Sequence, residues 1–447
     1  MRDDPLSGCD DRPVTNVKQW VDSGRHPGRF WLPAAPGRRV PGVLEIEDGR
    51  QPRIYLWDFL GEPPAAGVAS SPVTQDFSLV LGRVGRGDVT LVDTHANRIG
   101  HGPTDEWPGT LTARASYLGA RYEAHDLAHD RIRVRMDGLA SLVPFTDYTV
   151  MWDTAPVHRW EIDISQELTG RFGDIDVCLR LAAIQAGRSS SEAPPRREIL
   201  STEVRLEGTT TGRLLLIDWI EQLVTPMRCL VGFALGQRLP LRRLDRLDPY
   251  PDIGDRKLVG FQEVPIVGSG IELDAPVAKS LVRAPIISFS DVGLIEQWCR
   301  LWRIERKRDA VHRMLHAAAP GSSPKTAFTD LVEAAEGWHK TTHGRKYIKS
   351  DGTRTAWTLA TRLDDLLEPL RGWGLAGVPT GAEVSRRRND LAHGDLLPDL
   401  GALVPLIRAL RVALRYHIAV DVGVDENDAA TRSWSADSWP PAEAGRL

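Results

Sequence analysis

The sequence predicts an α+β chain of more than one domain. An N-terminal β-rich region of antiparallel sandwich or barrel type precedes an all-α helical bundle. Three observations carry this reading. Between residues 28 and 275 short runs alternate apolar and polar residues between Gly/Pro turns, the period-2 mark of half-buried strands. From 276 to 424 apolar residues recur at three- and four-residue spacing, the mark of amphipathic helices. The length of 447 residues also exceeds what one core ordinarily serves, so two or three domains are expected.

Residues 1–27 are polar and aperiodic and read as a flexible arm. From Arg29 the strand pattern begins with VLEIE and IYLWDF. It continues through FSLVLGRV, DVTLVDTHANRI, LTARASYLGARYE, RIRVRMDG, RWEIDI and DIDVCLRLAAI, with turn residues between the runs. After the loop GRSSSEAPPRRE and the run STEVRLEGTT, a helix is predicted over Gly212–Thr225. Leu215, Ile217, Ile220, Leu223 and Val224 supply its apolar positions, and Pro226 is expected to kink or stop it. In LPLRRLDRLDPYPD the alternation suits a half-buried strand with Arg242 and Arg243 on its solvated face, and KLVGFQEVPIVG closes the region.

The helical part opens with LIEQWCRLWRIERKRDAVHRMLHAA, read as one continuous helix with Ile295, Trp298, Leu301, Trp302, Ile304, Val311 and Leu315 on its apolar stripe. AFTDLVEAAEGWHKTTHG and TAWTLATRLDDLLEPLRGWG add two more helices. EVSRRRNDLAHGDLLPD follows, and LPDLGALVPLIRALRVALRYHIAV ends the set, its Pro405 tolerable in a first turn. Short connections between antiparallel helices give a bundle. Residues 425–447, polar with Pro440 and Pro441, read as a flexible tail.

A 42% apolar and 26% charged composition is that of an ordinary globular protein. The net charge of −4 argues against a general nucleic-acid coat, so any RNA contact is expected from a local basic patch. Cys9, Cys178, Cys229 and Cys299 lie far apart with no CxxC pair, as free thiols of a reducing compartment would. The polar, acidic N-terminus is unlike a secretory leader, and no run approaches the roughly 20 apolar residues of a membrane span. The expected location is the cytoplasm.

The densest chemistry lies in Glu383–Asp399, where Arg388, Asn389 and His393 spell Arg-Asn-x-x-x-His behind Arg386 and Arg387. On a helix Asn389 and His393 share a face, while Arg388 sits about 140° away with a side chain long enough to swing toward the imidazole. Gly394 fits a left-handed stop that would leave His393 in the last turn. Such a group suits phosphodiester cleavage in RNA. An imidazole can take the proton from a ribose 2′-hydroxyl or give one to the leaving 5′-oxygen. A guanidinium suits phosphate oxygens as charge builds on them, and an asparagine amide can orient the ring. No metal is needed, because the nucleophile already sits in the substrate. The alternative is a surface helix with a basic N-terminal half and a capping histidine.

Arg388 to Gly394, R-N-D-L-A-H-G in a late helix followed by a long apolar one, resembles the Arg-x(4–6)-His motif of the HEPN superfamily. That resemblance covers about the last third of the chain. It implies a helical bundle that pairs with a second copy, so that two motifs form one composite ribonuclease site and the product ends are a 2′,3′-cyclic phosphate and a 5′-hydroxyl. It assigns His393 as general base or acid, Arg388 as phosphate clamp and Asn389 as ring-orienting group, with Arg386 and Arg387 as RNA-binding candidates and no cofactor. The N-terminal order, FWLP then GVLEI, many strands and a Leu/Trp-rich helix, resembles the β-rich domain that precedes the HEPN domain in the ApeA family of bacterial anti-phage proteins. This implies abortive infection, with a phage product as trigger, the N-terminal domain sensing or restraining, and RNA, tRNA included, as substrate. Two other roles are compatible with a HEPN domain: a non-catalytic dimerisation or RNA-binding module, and a nucleotide-binding or toxin-neutralising partner of a nucleotidyltransferase.

Other histidines invite a metal reading. His95 to Gly102 and His125 to Asp130 sit in strand-like sequence, lack a metalloprotease glutamate and read as surface-loop histidines. His339 and His343 lie at helical spacing with Glu336 one turn earlier. A metal face, an RNA-facing patch and the exposed side of a bundle helix are all open, the last preferred. Lys307 and Arg308 fit either an RNA backbone or a solvated face. The fourteen tryptophans suit core positions, with base stacking open to one of them. No P-loop or Gly-rich dinucleotide fingerprint appears, which argues against NTP hydrolysis and redox chemistry.

Overall fold

The computed structural model describes residues 23–437 except 48, 62–75, 86, 100–108, 144–149, 153–159, 163–166, 188–198, 250–260, 269–284, 290, 292, 320, 349–352 and 394–399. The described strands are β1 (Gly24–Trp31), β2 (Val40–Ile46), β3 (Arg53–Leu56), β4 (Asp76–Val84), β5 (Gly87–Ile99), β6 (Gly109–Leu118), β7 (His129–Met136), β8 (Val150–Trp152), β9 (Trp160–Ile162), β10 (Glu167–Phe172), β11 (Ile175–Gly187), β12 (Ile199–Leu214), β13 (Leu241–Pro249), β14 (Phe261–Gly268), β15 (Lys346–Ile348) and β16 (Arg354–Ala356). The helices are α1 (Leu139–Leu142), α2 (Leu216–Trp219), α3 (Thr225–Leu235), α4 (Leu294–Trp302), α5 (Glu305–Ala317), α6 (Pro324–His343), α7 (Leu359–Gly372), α8 (Gly381–His393), α9 (Leu400–Asp421) and α10 (Glu426–Asp437). Strands thus dominate up to β14 and helices from α4 onward, as the periodicity predicts. The chain gathers into two compact units, residues 1–134 with 240–276 and residues 135–239 with 277–447.

In the first unit six strands close on themselves in the order β6–β3–β2–β1–β4–β5–β6, every pairing antiparallel. Alternation drives the closure: Val40, Leu44 and Ile46 on β2 and Leu111 and Ala113 on β6 all point to one side. Phe30, Leu44, Ile54, Leu56, Val80, Leu91 and Leu111 fill the interior. Room for the Phe30 ring comes from Gly82, where a Cβ would lie 2.6 Å from a ring carbon. β14 pairs with the second half of β6, and β13 with β14.

Arg243 departs from its expected solvated role. Its guanidinium donates to both oxygens of the buried Asp245 (2.7 and 2.9 Å) and to Glu263 (3.0 Å), which Arg133 also pairs. Nearby Arg246 donates to Asp248 (2.5 Å) and to the Asp126 carbonyl while lying 4.0 Å over the Tyr122 ring, whose hydroxyl donates to the same Asp248. These arginines act as internal ties between strands β13, β14 and β7 and the 122–126 turn.

In the second unit β10, β11 and β12 form an antiparallel meander. The helix expected at 212–225 starts later, because β12 runs on to Leu214. It also does not stop at the proline. α2 passes through a π-helical turn, Ile220–Val224, straight into α3. Proline has no N–H to give to a preceding turn, and a widened turn just before Pro226 accommodates that loss. The Pro226 carbonyl accepts from the Trp298 indole (2.9 Å), which ties α3 to α4. Gly236 ends α3 in the left-handed conformation (φ 69°), and the buried Arg415 of α9 donates to the Ala234 carbonyl there (3.2 Å).

The single helix expected from 294 is two, α4 and α5, since Ile304 is extended (φ −89°, ψ 101°). Ser323 caps α6, and a Thr358–Thr361 capping box starts α7 after the β15–β16 hairpin. Lys307 is buried, donates to Asp421 (2.7 and 2.8 Å) and lies 4.8 Å over Trp338, so it belongs to the helix packing and neither to solvent nor to an RNA surface. Residues read as a polar tail from 425 hold α10, whose start Asp425 caps and whose Ala429 and Ser433 are buried. Cys229 and Cys299 are buried free thiols; Cys9 lies outside the described residues. No described helix is long and apolar enough to cross a membrane.

Gly82→Ala should lower stability by about 1–3 kcal/mol through overpacking against Phe30, read as a drop in the urea midpoint. Gly37→Ala, where a Cβ meets nothing within 4 Å, should leave the midpoint nearly unchanged.

Candidate functional site

The motif helix is α8, described from Gly381 to His393, so Arg388, Asn389 and His393 all lie on one helix. Its start is held in detail. Thr380 accepts from the Glu383 N–H (3.1 Å), and Glu383 puts a negative charge in the first turn. The Gly381 N–H donates to Asp364 of α7 (2.7 Å). A Cβ on Gly381 would stand 1.9 Å from the Ala360 carbonyl, so only glycine permits this approach. Arg371 donates to the same Asp364 (2.8 Å) and to the Pro379 carbonyl (3.0 Å), which pins the α7–α8 connection.

Beyond that anchor α8 buries little: Gly381 and Val384 are its buried residues. Arg386, Arg388, Asn389 and His393 are exposed, and Arg387 is half-buried. Arg387 lies 3.9 Å from Asp390, one turn on. Arg388 donates to the Asn389 side-chain oxygen at 3.4 Å. The asparagine thus faces the arginine, and among the described residues no side chain hydrogen-bonds the His393 ring. Gly394 lies outside the described residues. One chain therefore offers a guanidinium and an imidazole on an open helix surface without joining them.

A second cluster forms where α6 meets α7. His339, His343 and Asp365 bring ligand-type atoms within 4.8 Å of one another, which is metal-like spacing. The hydrogen bonds argue otherwise. Arg362 donates to His339 Nδ1 (2.9 Å) and to the Gly344 carbonyl (3.1 Å). A guanidinium only donates, so Nδ1 is the acceptor and Nε2 carries the proton, which it gives to Asp365 (2.9 Å). Neither nitrogen keeps a lone pair for an ion, and the arginine charge would repel one. His339 is wholly buried, contrary to the exposed-face reading, with Trp357 edge-on at 4.5 Å and His343 tilted at 4.6 Å. Burial pulls its pKa down to about 4, aided by His343 and Arg362 and opposed by Asp365.

The other histidines divide. His95 is exposed beside Asp76 (2.9 Å), and His125 is exposed near Asp126 (3.5 Å). His129 is not a loop residue: it sits in β7, buried, and burial lowers its pKa to about 4. His101 lies outside the described residues.

The His339 shift has a definite sign. The folded state holds the ring neutral, so its contribution to stability is complete above the ordinary imidazole value near 6.5 and is lost as pH falls toward about 4. His339→Gln can donate to Asp365 and accept from Arg362 without titrating. It should make the fall of Tm between pH 6.5 and 4 shallower than in the parent; an unchanged slope would remove His339 from the acid response.

Compared with known families, residues 25–244 match the family model described as ApeA N-terminal domain 1. No curated protein and no solved structure matches the chain.

Proposed function

Starting from an ApeA-like chain, and so from a family of anti-phage defence proteins, we propose that this protein is a metal-independent endoribonuclease of HEPN type acting in abortive infection. The observation that carries the reading is α8: a helix docked by its first turn, with Arg388, Asn389 and His393 all open to solvent on its second half. His393 takes the 2′-hydroxyl proton or protonates the leaving 5′-oxygen. Arg388 neutralises the non-bridging oxygens as the phosphorus becomes pentacoordinate. Asn389, which already holds the Arg388 guanidinium, positions the clamp and orients the ring once the site is assembled. Arg386 and Arg387 supply further positive charge for the RNA backbone.

A single α8 leaves Arg388 and His393 unjoined, and pairing two copies across a two-fold axis would bring the arginine of one to the histidine of the other. We therefore place the active form as a homodimer through the helical region. The β-rich region of residues 28–275 is the candidate sensor or restraint for the helical region of 276–424, and a phage product is the candidate trigger.

Purified protein incubated with total RNA in EDTA should yield fragments ending in a 2′,3′-cyclic phosphate and a 5′-hydroxyl. His393→Ala should lose at least 100-fold in rate while keeping its oligomeric state. Unchanged cleavage by this variant would remove His393 from the mechanism, and 3′-hydroxyl product ends would contradict the chemistry.

A further inference from the structure

A cavity of about 340 Å³ opens between α3, the turn after it and α5, far in sequence from the motif helix. Its wall combines Arg228 and Arg238, the imidazoles of His312 and His316, and the Thr225 hydroxyl, and no carboxylate lines it. The volume falls at the lower end of the range for small-ligand sites. Two guanidiniums with no acid in the wall make it chemically an anion site, and His312, whose pKa burial lowers, offers a hydrogen bond there rather than a charge.

The side chains are set for that role. Arg228 is fixed by donation from Nε to the Leu239 carbonyl (2.6 Å), which holds its guanidinium at the cavity. Among the described residues no carboxylate pairs with Arg238. His312 is braced by the Trp302 ring (5.1 Å) and by the Cys229 sulfur (3.9 Å). His316 is the exception, since it contacts Asp330 at 2.6 Å, which orients it at the rim. Cys229 is no nucleophile here, because burial raises its pKa to about 12.

We propose that the α3–α5 cavity binds a small phosphate-bearing anion. It is too small for more than one or two phosphates with a sugar, so a folded RNA is not its occupant. Two sources share this chemistry, free inorganic phosphate and the phosphate group of a small ester.

The test is calorimetric titration of the full-length protein with inorganic phosphate and, separately, with glucose 6-phosphate and adenosine 5′-monophosphate, at constant ionic strength. At least one should bind with 1:1 stoichiometry, and Arg238→Gln and His312→Gln should each weaken it tenfold or more. Phosphate binding as tightly as the esters identifies free phosphate; tighter ester binding identifies a phosphorylated metabolite. Arg238 is exposed on a turn, so its variant should fold, and an unchanged Tm without ligand verifies this. No binding of any of the three at millimolar concentration, binding unaffected by both variants, or binding only of a single-stranded oligoribonucleotide would overturn the proposal.

Discussion

The Asp364 carboxylate is the fulcrum of the candidate site. One of its oxygens accepts from the Gly381 N–H at 2.7 Å and from Arg371 at 2.8 Å, and this happens only because Gly381 lets α8 touch the backbone of α7. The contact fixes the position and direction of α8 through its first turn and Val384, leaving the remaining two and a half turns without a buried face. A helix so polar would be marginal alone. Docked at one end, it can carry three consecutive arginines and an exposed histidine without burying any of their charge. Exposure of these groups is thus a consequence of where the helix is anchored.

Much of this was legible in advance. The barrel strands follow from strict alternation, and the helical part from amphipathic spacing. That Arg388, Asn389 and His393 share one helix follows from their spacing. What the sequence concealed depends on partners distant in the chain. Lys307 looks like one more charge in a basic run, but its carboxylate is Asp421 on α9. His339 and His343 look like ligands or a wet face, but Arg362 and Asp365, one helix on, bury the first and fix its tautomer. Arg243 reads as solvated until Asp245 and Glu263 surround it. Local pattern also misled twice. Pro226 is a helix breaker by rule, yet a π turn carries the helix through it. Polar residues after 425 look tail-like, yet small Ala429 and Ser433 let α10 lie down on the bundle.

The composition of the second unit has a physical reason as well. α3 is almost wholly apolar and needs cover on several sides, which α4 and α5 help provide. Its C-terminal carbonyls need a donor, and Arg415 of α9 supplies one from 181 positions away. Those contacts draw residues before 240 into the same compact body as the motif helix. The α3–α5 cavity belongs to that body too, so the proposed anion and the proposed RNA would meet the same packed unit.

The central claim is that Arg388 and His393, each exposed and unjoined within one chain, act together across two. Its most direct measurement is complementation: Arg388→Ala and His393→Ala, each inactive alone, are mixed under conditions that exchange subunits, and RNA cleavage is timed. The account predicts that activity returns in the mixture, because a mixed pair holds one intact arginine facing one intact histidine. A mixture that demonstrably forms mixed dimers and still cuts no RNA would contradict it.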